Sequence, residues 1–216
     1  KKKEQAPEPT VEIQPIEYET QAIEETANVL FKPNPGPQTD FLAASEREVL
    51  YGGSAGGGKS YAMLSDPLRY MGHPAFSGLL LRHTTEELRE LVFKSQELYP
   101  KIWPGIKWSE RKMQWTAPSG ARLWMSYLDR DDDVLRYQGL AFSWIGFDEL
   151  TQWSTPYAWN YMRSRLRSTA ADLPIYMRAT TNPGGRGHHW VKKMFIDPAP
   201  YNRAYDATDI ETGEVL

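Results

Sequence analysis

From about residue 46 onward, two hydrophobic rhythms take turns along the chain. Short unbroken apolar runs alternate with stretches in which apolar residues recur every three or four positions. Unbroken runs belong to strands covered on both faces, as in a parallel sheet, and the longer period belongs to helices packed against them. The runs predict strands at 47–51, 78–81, 143–147 and 174–179. The longer period predicts a helix at 59–70. It predicts a second after Thr84-Thr-Glu-Glu87, a capping box followed by Leu88, Leu91, Val92 and Leu98. A short helix is expected at 129–137, and Pro156 at a helical first turn opens 157–167. Two alternating segments, 112–116 and 122–127, flank Ala117-Pro-Ser-Gly120 and predict a hairpin.

The order of elements predicts a three-layer α/β domain with a mostly parallel central sheet and an antiparallel hairpin. Residues 1–30 carry three lysines, seven glutamates and three prolines, with few large apolar residues before Val29 and Leu30. Such a composition builds a core poorly, so a flexible or loosely docked arm is expected. A turn-rich stretch at 32–38 then leads to a short helical pattern at 39–45. The expected organisation is an arm at 1–30, one domain at 31–200 and a tail at 201–216.

Composition adds limits. With 216 residues and 40% hydrophobic content, the chain can bury one good core. There is no cysteine, which excludes disulfides and thiolate metal sites, and no apolar stretch long enough to span a membrane. The net charge of −3 conceals a basic segment. Residues 151–193 hold Arg163, Arg165, Arg167, Arg178, Arg186, Lys192 and Lys193 against the single acid Asp172, which suits a polyanion, a neighbouring subunit or a solvated face. Most of the eight tryptophans are expected in the core rather than as base-stacking platforms.

The chemistry concentrates in two motifs. Gly53, Ser54, Ala55, Gly56, Gly57, Gly58, Lys59 and Ser60 form a P-loop between a strand and a helix. Its glycines let backbone N–H groups face phosphate oxygens at the positive end of the helix. Lys59 adds a cation, and the Ser60 hydroxyl suits the Mg²⁺ that accompanies ATP. Downstream, the apolar run 143–147 ends in Asp148 and Glu149, the Walker B arrangement. Asp148 is expected to hold Mg²⁺ through water and Glu149 to act as general base. Thr181 and Asn182, at the end of the next strand, are placed to sense the γ-phosphate. Two rivals remain open: a helicase-like DNA-dependent ATPase, and a nucleotide-gated assembly module with little turnover. The general base disfavours the second.

These residues resemble the large terminase subunit of tailed double-stranded DNA bacteriophages. The resemblance rests on Pro37-Gln38-x-x-Phe41, the P-loop, Leu80-Leu-Arg82, Arg136-Tyr-Gln-Gly139 before Phe147-Asp-Glu149, and the run Thr180-Thr-Asn-Pro-Gly-Gly-Arg-Gly-His-His-Trp190. It implies a RecA-like P-loop NTPase fold and ATP hydrolysis that drives duplex DNA into a procapsid. It also implies a ring at the portal protein, fed by the small terminase subunit, in the host cytoplasm. By that similarity Gln38 contacts adenine and Thr181-Asn182 forms the coupling motif. Arg136 is the candidate arginine finger for a neighbour's γ-phosphate, with Arg82 the second candidate. Read without the resemblance, Arg136 is a helix-end cation beside Asp131, Asp132 and Asp133. His188 and His189 are expected to make loop contacts rather than bind metal. The family usually continues into a nuclease domain. Asp206, Asp209 and Glu211 lie in the tail, not in such a domain, and nuclease activity is not expected of this chain.

Overall fold

The computed structural model describes residues 31–54 and 56–207. The expected arm at 1–30, Ala55 of the P-loop, and Asp209 and Glu211 of the tail lie outside the described residues. Seven strands form one sheet: β1 (Glu48–Gly52), β2 (Ser77–Arg82), β3 (Lys107–Ser109), β4 (Gln114–Thr116), β5 (Arg122–Tyr127), β6 (Trp144–Phe147) and β7 (Tyr176–Thr181). Their spatial order is β1-β7-β6-β2-β5-β4-β3. The first five are mutually parallel, and β5, β4 and β3 pair antiparallel.

Each buried strand feeds two cores because successive side chains point to opposite faces. Leu80 and Trp144 join one apolar cluster with Phe41, Met63, Leu88 and Tyr99. Leu79, Leu81, Ile145 and Phe147 join the other with Trp159, Trp190 and Met194. Helices α1 (Pro37–Ala43), α2 (Lys59–Ser65) and α3 (Thr85–Ile102) cover the first face, and α4 (Tyr157–Arg163) and α5 (His188–Phe195) the second. All eight tryptophans pack in or against these cores, as expected.

Several boundaries differ from the sequence expectation, each for a local reason. The helix expected at 59–70 is α-helical to Ser65 and tightens into a 3-10 turn from Asp66, where Pro67 removes a backbone donor. The segment expected as a helix at 129–137 is also a 3-10 turn, Asp131–Tyr137. Helix α4 stops at Arg163 instead of reaching 167, because the Phe142 amide donates to the Arg165 carbonyl and the Arg167 amide to the Phe142 carbonyl. Strand β3 and helix α5 had no separate sequence signal assigned to them. The Thr84 capping box forms as expected, with Thr84 Oγ1 accepting from the Glu87 amide at the head of α3.

Candidate functional site

The P-loop connects β1 to α2, and its carbonyls are tied back into the protein. Gln38 Nε2 donates to the Gly58 carbonyl (2.8 Å), Tyr51 Oη to that of Gly57 (2.5 Å), and Lys59 Nζ to those of Gly53 (3.0 Å) and Ser54 (2.7 Å). Among the described residues the amides of Gly53, Ser54, Gly56, Gly57 and Gly58 make no hydrogen bond, and such amides are the donors a phosphate needs. Gly58 sits at φ 74°, and a Cβ there would lie 2.6 Å from Gln38 Nε2, so only glycine fits. Gln38 is buried, and its Oε1 accepts from the Asn34 amide (2.6 Å). The structure places Gln38 beneath the loop as a brace, with both ends of its amide engaged. Ser60, half-buried, opens α2 beside Lys59.

The second half of the site stands at the carboxyl ends of β6 and β7, beside the end of β1. Strand β7 lies between β1 and β6, so Thr180 and Thr181 bridge the two motifs. Thr180 Oγ1 donates to Asp148 Oδ1 (2.5 Å) and accepts from the Glu149 amide (3.1 Å). Glu149 adopts φ 60° and ψ 56°, a left-handed conformation that side chains rarely take and that favours a functional constraint. Its two carboxylate oxygens receive Asn182, the backbone amide on Oε2 (2.9 Å) and the side-chain amide on Oε1 (2.7 Å). Thr181 Oγ1 donates to Thr151 Oγ1 (2.8 Å) just past Glu149.

Charge is balanced unevenly. Arg82, at the end of β2, places Nη1 2.9 Å from Asp148 Oδ2 and Nη2 3.9 Å from Glu87. Its side chain is only 12% exposed and faces acids of its own chain. Burial pushes the Asp148 carboxyl above the usual range, against the opposing pull of Arg82 and Thr180. Burial also raises Glu149, with help from the Asp148 charge and against the Asn182 bond. Burial alone would raise Glu87 too, but bonds from Gln152 and Thr84 and the Arg82 charge hold it below normal. No sequence signal marked Gln152 or Glu87 as part of this cluster. Gln152 lies outside the motifs and Glu87 belongs only to the capping box, so the two meet in space alone.

Arg136 sits apart. Its Nη2 donates to the Tyr127 carbonyl at the end of β5 (2.7 Å), and its guanidinium lies over the Tyr127 ring with nearly half of its side chain exposed. Strand β5 is four strands from β1, so at the usual strand spacing Arg136 stands about 19 Å from its own P-loop strand. The basic segment is likewise not one patch. Arg163 pairs with Glu48, and Arg178 is buried, donating to the carbonyls of Ala44 and Glu46. Among the described residues no group of three or more histidine, cysteine or acidic side chains forms a metal site, and no helix is long and apolar enough to cross a membrane. His188 Nδ1 accepts from the Gly184 amide, a contact within the loop and helix start.

Residues 50–212 match the family model described as terminase large subunit, T4likevirus-type, N-terminal. The chain belongs to this family. The fold agrees with solved structures of large terminases. One from a thermophilic bacteriophage is 17% identical, covers 77% of this chain and 43% of its own, and superposes with a TM-score of 0.59. The ATPase domain of the Thermus phage P74-26 large terminase is 14% identical, with 80% and 74% covered and a TM-score of 0.54. The bacteriophage HK97 large terminase is 13% identical, with 81% and 41% covered and a TM-score of 0.55. At such identities the likeness is one of fold, the RecA-like P-loop arrangement with its mostly parallel sheet. This terminase chain spans less than half the length of the first and third of these proteins. No curated protein sequence matches it.

Proposed function

We propose that this chain is the ATP-hydrolysing part of a genome-packaging motor that moves duplex viral DNA. The observation that carries the proposal is the grip of Asn182 on both oxygens of Glu149 beside the Asp148 carboxylate. A base that waits on the sensor residue is what a hydrolase coupled to movement needs. The large terminase of the thermophilic bacteriophage has been solved with ADP and with ATP-γ-S, which supports the nucleotide reading.

In this reading Lys59 exchanges the Gly53 and Ser54 carbonyls for phosphate oxygens, while the loop amides bind the remainder of the phosphate chain. Asp148 Oδ2 is buried and pairs with Arg82 Nη1 at 2.9 Å, so a hydrated Mg²⁺ would share that oxygen with Arg82. Ser60 would supply the hydroxyl ligand. Mg²⁺ neutralises phosphate charge when bound. Glu149, made more basic by burial, takes the proton of the attacking water as it leaves Asn182. Released Asn182 then carries the change into the loop that follows it.

Arg136 is too distant to serve its own nucleotide and is exposed, which supports a role at a neighbouring subunit's γ-phosphate in a homo-oligomeric ring. Arg82 instead holds Asp148 in its own chain. Portal protein and small terminase subunit are the partners this reading implies, with the motor acting at the procapsid in the host cytoplasm.

Steady-state phosphate release with Mg²⁺-ATP, measured across protein concentration with and without duplex DNA, tests the proposal. Activity should rise with concentration and with DNA. Bound nucleotide without release under every condition would overturn it.

A further inference from the structure

We infer that the outward stripe of α5, led by Arg186, is a binding surface for the phosphate backbone of duplex DNA. This rests on the reading above that the chain acts on duplex DNA, and it names the surface that reading lacks.

The basic segment 151–193 is the sequence feature that best suits a polyanion, and the structure pairs or buries part of it. Arg163 binds Glu48 through two nitrogens, and Arg178 is buried against backbone carbonyls. Arg165 lies over the Tyr161 ring, and Arg167, though exposed, is tied by one nitrogen to the Leu140 carbonyl, so both keep their charge but are held in place. Arg186 differs. It is exposed in the loop between β7 and α5 and makes no hydrogen bond or ion pair among the described residues.

Helix α5 buries Trp190, Val191 and Met194 and turns His189, Lys192 and Lys193 outward. His189 and Lys193, four positions apart, share one side of α5, and Arg186 stands in the turn two residues ahead of the helix's first residue. At the helical rise His189 to Lys193 covers about 6 Å, and Arg186 extends the stripe beyond the helix start. One DNA strand places a phosphate every ~3.4 Å along its axis, so the helical part alone spans about two phosphates. Asp197 occupies Lys192 at the far end, leaving the leading end the more cationic. Of the exposed large apolar side chains beside this helix, Ile196 follows its last residue and Tyr205 donates to the Met194 carbonyl, both at the end away from Arg186. A face without an apolar anchor suits a polyanion better than a protein partner.

The stripe is also firmly mounted. The Gly187 amide donates to the Thr151 carbonyl and Trp190 Nε1 to the Trp153 carbonyl, each at 2.8 Å. A Cβ at Gly187 would lie 2.0 Å from the Trp153 carbonyl oxygen, so the loop presses directly on the turn that follows Glu149. Asn182, which grips Glu149, begins the same loop. A phosphate held by Arg186 is thus joined to the hydrolytic base through packed backbone with no slack segment between.

The test is a titration of fluorescently labelled duplex DNA with the chain, its Arg186→Gln variant and the Arg186→Gln/Lys193→Gln double variant, with a non-hydrolysable ATP analogue across a salt series. Each lost cation should lower affinity about five-fold near 0.15 M salt and reduce the slope of log K against log salt by about 0.9. Arg111→Gln/Lys112→Gln removes two exposed charges from the β3 side of the sheet and should change neither. Analogue affinity should match wild type throughout, which shows that the variants are folded. An unchanged slope in the double variant, or an equal loss in the Arg111/Lys112 control, would overturn the inference. So would unchanged DNA affinity with weakened self-association, which would assign the stripe to a second copy. A wild-type chain that binds no duplex at any salt would remove the DNA reading itself. Unchanged variants beside a binding wild type remove only this surface.

Discussion

On the P-loop flank of the site, the polar contacts are ones a phosphate would displace. Lys59 rests on the carbonyls of Gly53 and Ser54, and among the described residues the amides from Gly56 to Gly58 make no hydrogen bond. On the Walker B flank the groups are already committed to one another: Arg82 to Asp148, Thr180 to Asp148 and to the Glu149 amide, Asn182 to both oxygens of Glu149. The difference assigns distinct work to the two flanks. The first exchanges internal contacts for ligand at little cost, which suits binding. The second holds two acids in a buried cluster whose charge is costly and whose bonds must break in order, which suits timing.

The largest expected effect falls on the exchangeable flank. Lys59→Ala removes the loop's only cation, and nucleotide affinity measured by calorimetry should drop by on the order of 10²-fold with the fold intact. Affinity near wild type would mean that the two flanks do not divide binding from chemistry as described.

Breaking the committed flank should cost stability first. Arg82→Gln strands Asp148 in a buried site, and urea unfolding should show a loss of about 3 kcal/mol. A loss well under 1 kcal/mol would place Asp148 in contact with solvent or another cation.

A subtler change sharpens the role of Asn182. The folded Glu149 carboxyl already titrates above its ordinary value, mainly through burial, so the base is lost to protonation at a higher pH than an exposed glutamate. The Asn182 bonds favour the ionised form. Asn182→Ala removes the side-chain donor, raises the carboxyl further and should move the acid limb of the kcat/KM profile to higher pH. An unmoved limb, or one moved to lower pH, would contradict the clamp.

Arg136→Ala should change stability least, by under about 1 kcal/mol, because the side chain is half exposed. Its effect should appear in assembly. Mixing Arg136→Ala with Lys59→Ala should restore some hydrolysis, since one variant keeps an intact loop and the other an intact arginine. No recovery in verified mixed assemblies would place Arg136 outside the reaction.

How much of this was legible in the sequence follows from how local each feature is. The P-loop and the Asp148-Glu149 doublet are contiguous, and their strand context shows in apolar runs, so the sheet and the position of both motifs could be read directly. The hairpin and the Thr84 capping box are local too. What could not be read depends on strand order. With β7 between β1 and β6, Thr180 touches Asp148 and Asn182 touches Glu149 across more than thirty residues. The brace of Gln38 under Gly58, the capture of Arg163 by Glu48 and the early end of α4 at the Phe142 contacts are likewise tertiary. Counting charges along 151–193 overstated the basic surface for the same reason, because burial and pairing are not properties of a sequence window.

Single-turnover phosphate release by Glu149→Gln, with protein in excess over ATP and binding measured in parallel, tests the central claim most directly. The substitution keeps size and removes the base. Nucleotide should bind as in wild type while release slows by on the order of 10² or more. Release at near wild-type rate would show that the carboxylate held by Asn182 is not the general base and would contradict the account.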